Sequence, residues 1–482
     1  MKFVNASVVM SSLLFASFAQ GQSSLKDRAY SVITTRCLSC HTNTFATNKV
    51  INDEKVKNKA ERMIARIEAK NGVTPMPPDQ SSQSEAFTDL EKSELLSYLK
   101  TLVSTPEPEL ELEPSVSAPS TDAIVPLSKL KVEDGFKIEV FAQARGARSL
   151  AVHPSGIVFI GTGGFSNVDP EGRVHAIVPT TTGNVVVTLA KDLKNPNGVA
   201  LQGNDLYVAE SSRITVYKNA VASAKALALN NEAEVPAALV VKRDLRVQDE
   251  HHWKYIAISP DNKLYVGIGA DCNVCSEDRD VGASIFRMDL NGKNYEQVAK
   301  GVRNTVGLTF HPVTGQLWFT DNGRDNLGNN LPGDELNVLK SPVQDYGFPF
   351  CFASNVTDKD FGAGTDCNSS EFTKPIRDLG AHVAALGLTH YTGSTFPAKY
   401  KNATFIAEHG SWDSDFKVGY RLTIVEETVT AGKASYSYRP FVSGFATQQA
   451  NWGRPSDVKN YIDGSLLLSD DKSGVVYKIS PK

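Results

Sequence analysis

Near the amino terminus stands Cys37-Leu38-Ser39-Cys40-His41. Two thiols at this spacing, followed at once by an imidazole, can fix a porphyrin through two thioethers while the histidine takes its iron. Cys37 and Cys40 are thus candidates for covalent haem c attachment, and His41 for the proximal ligand. Met76 lies in Val73-Thr74-Pro75-Met76-Pro77-Pro78, a proline-stiffened stretch able to hold a thioether at iron without a helix. Met63 falls on an apolar helical stripe, where packing explains it. Further along come Glu250-His251-His252-Trp253, Gly301-Val302-Arg303-Asn304, Asp321-Asn322-Gly323-Arg324-Asp325, Ala381-His382-Val383, His409-Gly410-Ser411-Trp412 and Trp452-Gly453-Arg454-Pro455. Guanidinium groups grip carboxylates at two points. A histidine exchanges a proton near neutral pH.

Those strings need a frame that brings distant segments together. From about residue 124 to 482 a turn followed by a β-rich run recurs. The copies begin at His153, Gly203, Pro260, His311, Asn402 and Asp463. A unit of this period is a propeller blade, and six copies give a six-bladed, all-β propeller whose loops gather around one end of a channel. The one long interval implies an insertion around residues 351–375. A solenoid or a pair of sandwiches is the alternative.

Ahead of the propeller, residues 22–103 read as a small all-α domain, with apolar stripes in 55–70 and 88–102. Between the two domains, residues 104–123 mix Pro and Glu with too little apolar content to form a core. This linker could reach about 60 Å at about 3.1 Å per residue. Residues 1–21 read as a cleaved export signal: Lys2, an apolar run from Val8 to Phe18 too short to span a bilayer, then small residues at Ala19 and Gly21. No later stretch suits a membrane span, and a periplasmic or secreted location is expected. Cys272, Cys275, Cys351 and Cys367 remain outside the haem motif. Of three possible pairings into two disulfides the local one is simplest, with a redox or metal role for Cys272 and Cys275 as the alternative. With 50 basic and 54 acidic residues, the chain has no electrostatic footprint for nucleic acid.

Cys37 to His41, Met76-Pro77-Pro78 and the closing helix resemble a class I cytochrome c domain. Residues 124–482 resemble the sorbosone (aldose sugar) dehydrogenase and soluble glucose dehydrogenase superfamily. The resemblance is carried by Arg303-Asn304, Asp321-Asn322-Gly323-Arg324-Asp325, Asp334-Glu335-Leu336-Asn337, Tyr346-Gly347-Phe348-Pro349, His409-Gly410-Ser411-Trp412 and Gly453-Arg454-Pro455. It implies a six-bladed propeller that binds pyrroloquinoline quinone and Ca2+. It assigns His251 as base, with His252 one position away, and Arg303 as stabiliser of charge on the quinone oxygen. Arg148, Asn304, His382, Trp412 and Arg454 fall to quinone binding, and the backbone carbonyls of Gly323 and Arg324 to calcium. Two departures put strict glucose specificity in doubt: Ser456 stands where those enzymes carry a second arginine, and His382 where they carry a smaller residue.

The expectation is a quinohaemoprotein that oxidises a sugar or aldehyde and passes electrons through haem c to a downstream acceptor. A lactonase-like metal hydrolase, or a carbohydrate- or protein-binding propeller beside an independent cytochrome, are the alternatives.

Overall fold

The computed structural model describes residues 125–482 apart from 164–171, 230–236, 249 and 277, together with parts of a helical stretch within 93–100. The haem motif, Met76, the signal-like leader and the linker lie outside the described residues. Within the helical stretch, Leu95 and Leu99 are both buried, as residues four apart on an apolar stripe should be.

Each of the six sequence repeats marks the turn between the first two strands of an antiparallel sheet, and then its second strand. Blade one spans 150–190, blade two 198–242, blade three 256–300, blade four 308–381 and blade five 385–443. Blade six takes residues 455–481 and is completed by the strand Phe136–Gln143. The turns share a cause. Gly156, Gly203, Asn262, Gly315, Asn402 and Gly464 each stand at positive φ, the left-handed backbone that glycine and asparagine tolerate best. The second strands are apolar almost throughout, and Val158–Gly161, Leu317–Asp321, Thr404–Glu408 and Leu466–Asp470 are buried at every residue. Flanking blades cover both faces, so these strands lack the in–out alternation of a half-exposed sheet.

The innermost strands touch in a closed cycle. Leu150–Val152 meets Gly198–Gln202, which meets Ile256–Ile258, then Leu308–Phe310, Ala385–His390, Pro455–Asn460 and back to the first. Close approach is enforced by missing side chains: a Cβ on Gly307 would lie 2.0 Å from the Leu386 carbonyl of the next blade. The expected insertion lies between the third and fourth strands of blade four. It holds a small hairpin, Cys351–Phe352 with Val356–Thr357, tied by a Cys351–Cys367 disulfide. The other disulfide joins Cys272 to Cys275, so the local pairing is the one formed. Among the described residues no helix is long and apolar enough to cross a membrane.

Ring closure depends on a strand from the start of the domain. Phe136–Gln143 pairs with Val475–Pro481, and Phe136 packs edge-on against Phe396, Tyr400 and Phe441. Removing residues 1–124 should leave the propeller's thermal midpoint within a few degrees. Removing residues 1–143 should abolish its cooperative transition, as followed by circular dichroism.

Candidate active site at the blade tops

The segment just before each innermost strand delivers polar side chains to one end of the ring. These are Arg148 for blade one, Asn197 for blade two, His251 for three, Arg303 and Asn304 for four, His382 for five and Arg454 for six. Arg148, Asn197, His251, Arg303 and His382 are buried, so the guanidinium groups of Arg148 and Arg303 are not splayed into solvent, and Arg454 is partly buried.

Buried carboxylates at the ends of second strands hold these segments. Asp321 accepts the backbone N–H groups of Arg303 at 2.9 Å and Asn304 at 2.6 Å. Asp470 accepts those of Arg454, Lys472 and Ser473 at 2.9–3.1 Å. Glu210 accepts Lys194 N–H at 3.0 Å. Burial raises Asp321, and pushes Asp470 up to about 6.

One group joins blades one, two, five and six. Arg148 donates to Asn197 Oδ1 at 2.8 Å and to Asp471 Oδ2 at 2.6 Å. Burial, with Arg148 and Arg454 nearby, drops His409 to about 4 despite its aspartate. A neutral ring therefore donates its Nε2–H to Asp471 at 2.9 Å. Burial alone would raise Asp471, yet His409 and Arg148 hold it below the usual carboxylate range. Arg454 donates to the carbonyls of His409 and Gly410 at 3.1 and 3.0 Å. Burial lowers Arg148, Asp471 opposes this, and the charge of Arg454 adds to the lowering. Arg148 thus pairs with Asp471 beside a neutral histidine, with the charge of Arg454 acting on both, and guanidinium groups clustered in this way suit an anion. Arg148 also lies 5.4 Å over the Trp253 ring.

The second group belongs to blades three, four and five. His251 Nδ1 stands 2.7 Å from the Ala270 carbonyl. A carbonyl only accepts, so Nδ1 carries the proton and Nε2 keeps the lone pair. Burial first, and then the positive charge of Arg303, hold this histidine well below its ordinary range. Gly269 makes the approach possible, since a Cβ there would meet His251 Cβ at 2.5 Å. Arg303 donates Nε and Nη2 to the carbonyl and Oδ1 of Asn273 at 2.7 and 2.9 Å, and Nη1 to Asn322 O at 3.1 Å. Its nearest carboxylate, Asp325, is 3.7 Å away.

Asp325, His382 and Asp413 place one ligand atom each within 4.8 Å of one another. His382 Nε2 donates to Gly328 O at 2.8 Å, which leaves Nδ1 as the acceptor nitrogen. Asp413 is steadied by Asn326 N–H at 2.6 Å. Burial pushes Asp325 up to about 6, partly offset by Arg303. Two carboxylates and an imidazole nitrogen are a donor set for a divalent cation. They adjoin Gly323 and Arg324, whose carbonyls the family resemblance assigns to calcium. Gly323 N–H donates to Asp334 at 2.9 Å. The Arg324 side chain turns away and pairs with Asp358 and Asp360 of the insertion at 2.6 and 3.0 Å.

Most residues expected from the sequence are therefore brought to one end of the ring. Trp412 is 63 % exposed, next to Asp413. His252 lines a cavity of about 480 Å³ with Asn195, Ser211 and Gln248. Sequence reasoning missed Asn197, Asn273, Asp413 and Asp471. Asp470-Asp471 closes the sixth repeat just as Asp321 closes the fourth, and that recurrence was the available signal.

A family model described as TrAA12-like matches residues 130–482. The chain belongs to that family. An uncharacterised protein of Borreliella burgdorferi is 34% identical over 359 residues, covering 73% of this chain and 91% of the relative. The TrAA12-like fold recurs in solved structures. The calcium structure of the Trichoderma reesei family AA12 enzyme aligns with a TM-score of 0.61 and 18% identity, over 73% of this chain and 97% of that one. The holo PQQ domain of pyranose dehydrogenase from Coprinopsis cinerea gives 0.58 and 16%, over 73% and 97%. The apo soluble aldose sugar dehydrogenase of Escherichia coli gives 0.51 and 16%, over 72% and 100%.

The carboxylate anchors have a pH signature. The folded pKa of Asp470, about 6, exceeds its ordinary 3.8, so the native state holds a proton that the unfolded chain releases. Stability from this group is full below about pH 4 and is lost as pH rises towards 6. Urea unfolding should show wild type losing more stability than Asp470→Asn between those pH values.

Proposed function

We propose that this protein is a quinone-dependent sugar or aldehyde dehydrogenase. The observation that carries the reading is the combination of an arginine cluster, Arg148 paired with Asp471 and Arg454 beside it, with His251, whose Nε2 lone pair is preserved. Relatives of the same fold named for calcium, PQQ and aldose sugars support it. Pyrroloquinoline quinone, when bound with Ca2+, would supply a two-electron acceptor whose carbonyl the cation polarises. Arg148 and Arg454 would hold its carboxylates, with Asn304, His382 and Trp412 at its edges. Asp325, Asp413 and the carbonyls of Gly323 and Arg324 would hold the cation.

The chain's own contribution is proton handling and charge. His251 Nε2 accepts the proton of a substrate hydroxyl, while the Nδ1–H bond to Ala270 O fixes the ring. Arg303, held mainly by neutral oxygens, would stabilise the negative charge that builds on the acceptor oxygen as it takes the hydride. Haem c, which Cys37, Cys40, His41 and Met76 would hold, would supply one-electron transfer to a downstream acceptor. Two disulfides support a location outside the reducing cytoplasm, periplasmic or secreted.

Apoprotein given quinone and Ca2+ should oxidise aldoses with a dye acceptor, and the haem of the full chain should be reduced by substrate without dye. Inactivity towards every aldose and aldehyde would defeat the reading. Because the Asp325–His382–Asp413 trio would also suit a metal hydrolase, lactone cleavage with cation alone is the outcome that favours that alternative. In the active enzyme, the acid limb of kcat/KM should lie below pH 6.5, the ordinary histidine value. Arg303→Gln removes a positive charge that disfavours the imidazolium, so it should move that limb upward while lowering kcat about 100-fold.

A further inference from the structure

Cys272 and Cys275 close a ring of four residues just after the second strand of blade three. Asn273 sits inside it. Its carbonyl and Oδ1 take two N–H groups of Arg303, at 2.7 and 2.9 Å. The same Oδ1 accepts Asp325 N–H at 2.8 Å, and Nδ2 donates back to Asp325 O at 3.3 Å. One residue therefore grips both the arginine of the proposed reaction and the turn that carries a carboxylate of the cation cluster. From the structure we infer that the Cys272–Cys275 ring makes Asn273 a positioning residue, fixing Arg303 and the Asp325 turn as a single unit.

Two physical points support this. A loop free to open would lose conformational entropy each time it held the guanidinium, and a short covalent ring removes much of that freedom beforehand. The acceptors are also uncharged. A carboxylate at this place would orient Arg303 equally well but offset the charge it must present. With Asp325 at 3.7 Å, the guanidinium is oriented mainly by neutral oxygens. The kinetic consequences rest on the dehydrogenase reading, whereas the geometric claim does not.

The test uses the full chain. Arginine labelling by a dicarbonyl reagent such as phenylglyoxal, read by peptide mass spectrometry, should be slow at Arg303 in wild type. It should rise about tenfold in Asn273→Ala, the factor that one lost hydrogen bond to a charged group supports. The Cys272→Ser/Cys275→Ser double variant should behave alike, with Arg148 in blade one labelled at an unchanged rate as the fold control. Asn273→Asp keeps the oxygen and adds a charge. It should leave Arg303 protected, keep KM within about twofold, lower kcat about tenfold and raise the acid limb set by His251. If the cysteine variant fails to fold, Asn273→Ala alone decides. Arg303 labelling unchanged in Asn273→Ala overturns the proposal, as would an Asn273→Asp enzyme with wild-type kcat and pH profile. Wild-type protein that oxidises no sugar with quinone would instead defeat the dehydrogenase reading, with the labelling result still standing on its own.

Discussion

A buried carboxylate accepting backbone N–H groups from the loop of an innermost strand is the contact on which the site depends. Loops crowded near a propeller axis carry N–H groups that can pair neither with a strand nor with bulk water, and leaving them unmet is costly. Asp321 meets those of Arg303 and Asn304, and Asp470 meets that of Arg454. Each acid stands at the end of a second strand, so the core that buries the strand also aims the loop. Burial raises these acids, and the paired N–H groups offset part of that cost.

From this anchoring follows an asymmetric distribution of charge. On the side of blades one, five and six, Arg148 pairs with Asp471 and Arg454 stands beside them, while His409 stays neutral. Guanidinium groups clustered there suit an anion. On the side of blades three and four, Arg303 is held mainly by neutral oxygens with Asp325 at 3.7 Å, and burial together with the charge of Arg303 keeps His251 in the basic form. Beside it, Asp325, His382 and Asp413 gather oxygen and nitrogen donors. Such a separation of anion grip, proton acceptor and cation locus is what the proposed hydride abstraction from an alcohol carbon would use.

Much of the fold was legible because its period is local. The six turns with a left-handed Gly or Asn, each followed by a strand buried on both faces, leave a repeated mark in the sequence. The insertion in blade four and the two short-range disulfides were legible for the same reason. Closure of the ring was not, since Phe136–Gln143 pairs with a strand more than three hundred residues away and its own composition names no partner. The site divides likewise. Arg148, His251, Arg303 and Arg454 stand out as charged residues beside the repeats. Asn273 and Asp413 acquire their roles only through contacts across blades, as when Asn273 meets Arg303. No periodicity encodes such contacts.

In the proposed function, arginines from separate blades hold a polyanionic quinone. Equilibrium titration of the full-length apoprotein with pyrroloquinoline quinone in the presence of Ca2+ tests this most directly. Saturable binding at one site is expected, weakened at least about tenfold by Arg454→Gln and likewise by Arg148→Gln, since each removes a charge-assisted contact. Binding that ignores both substitutions, or no binding by the wild-type protein, would contradict it.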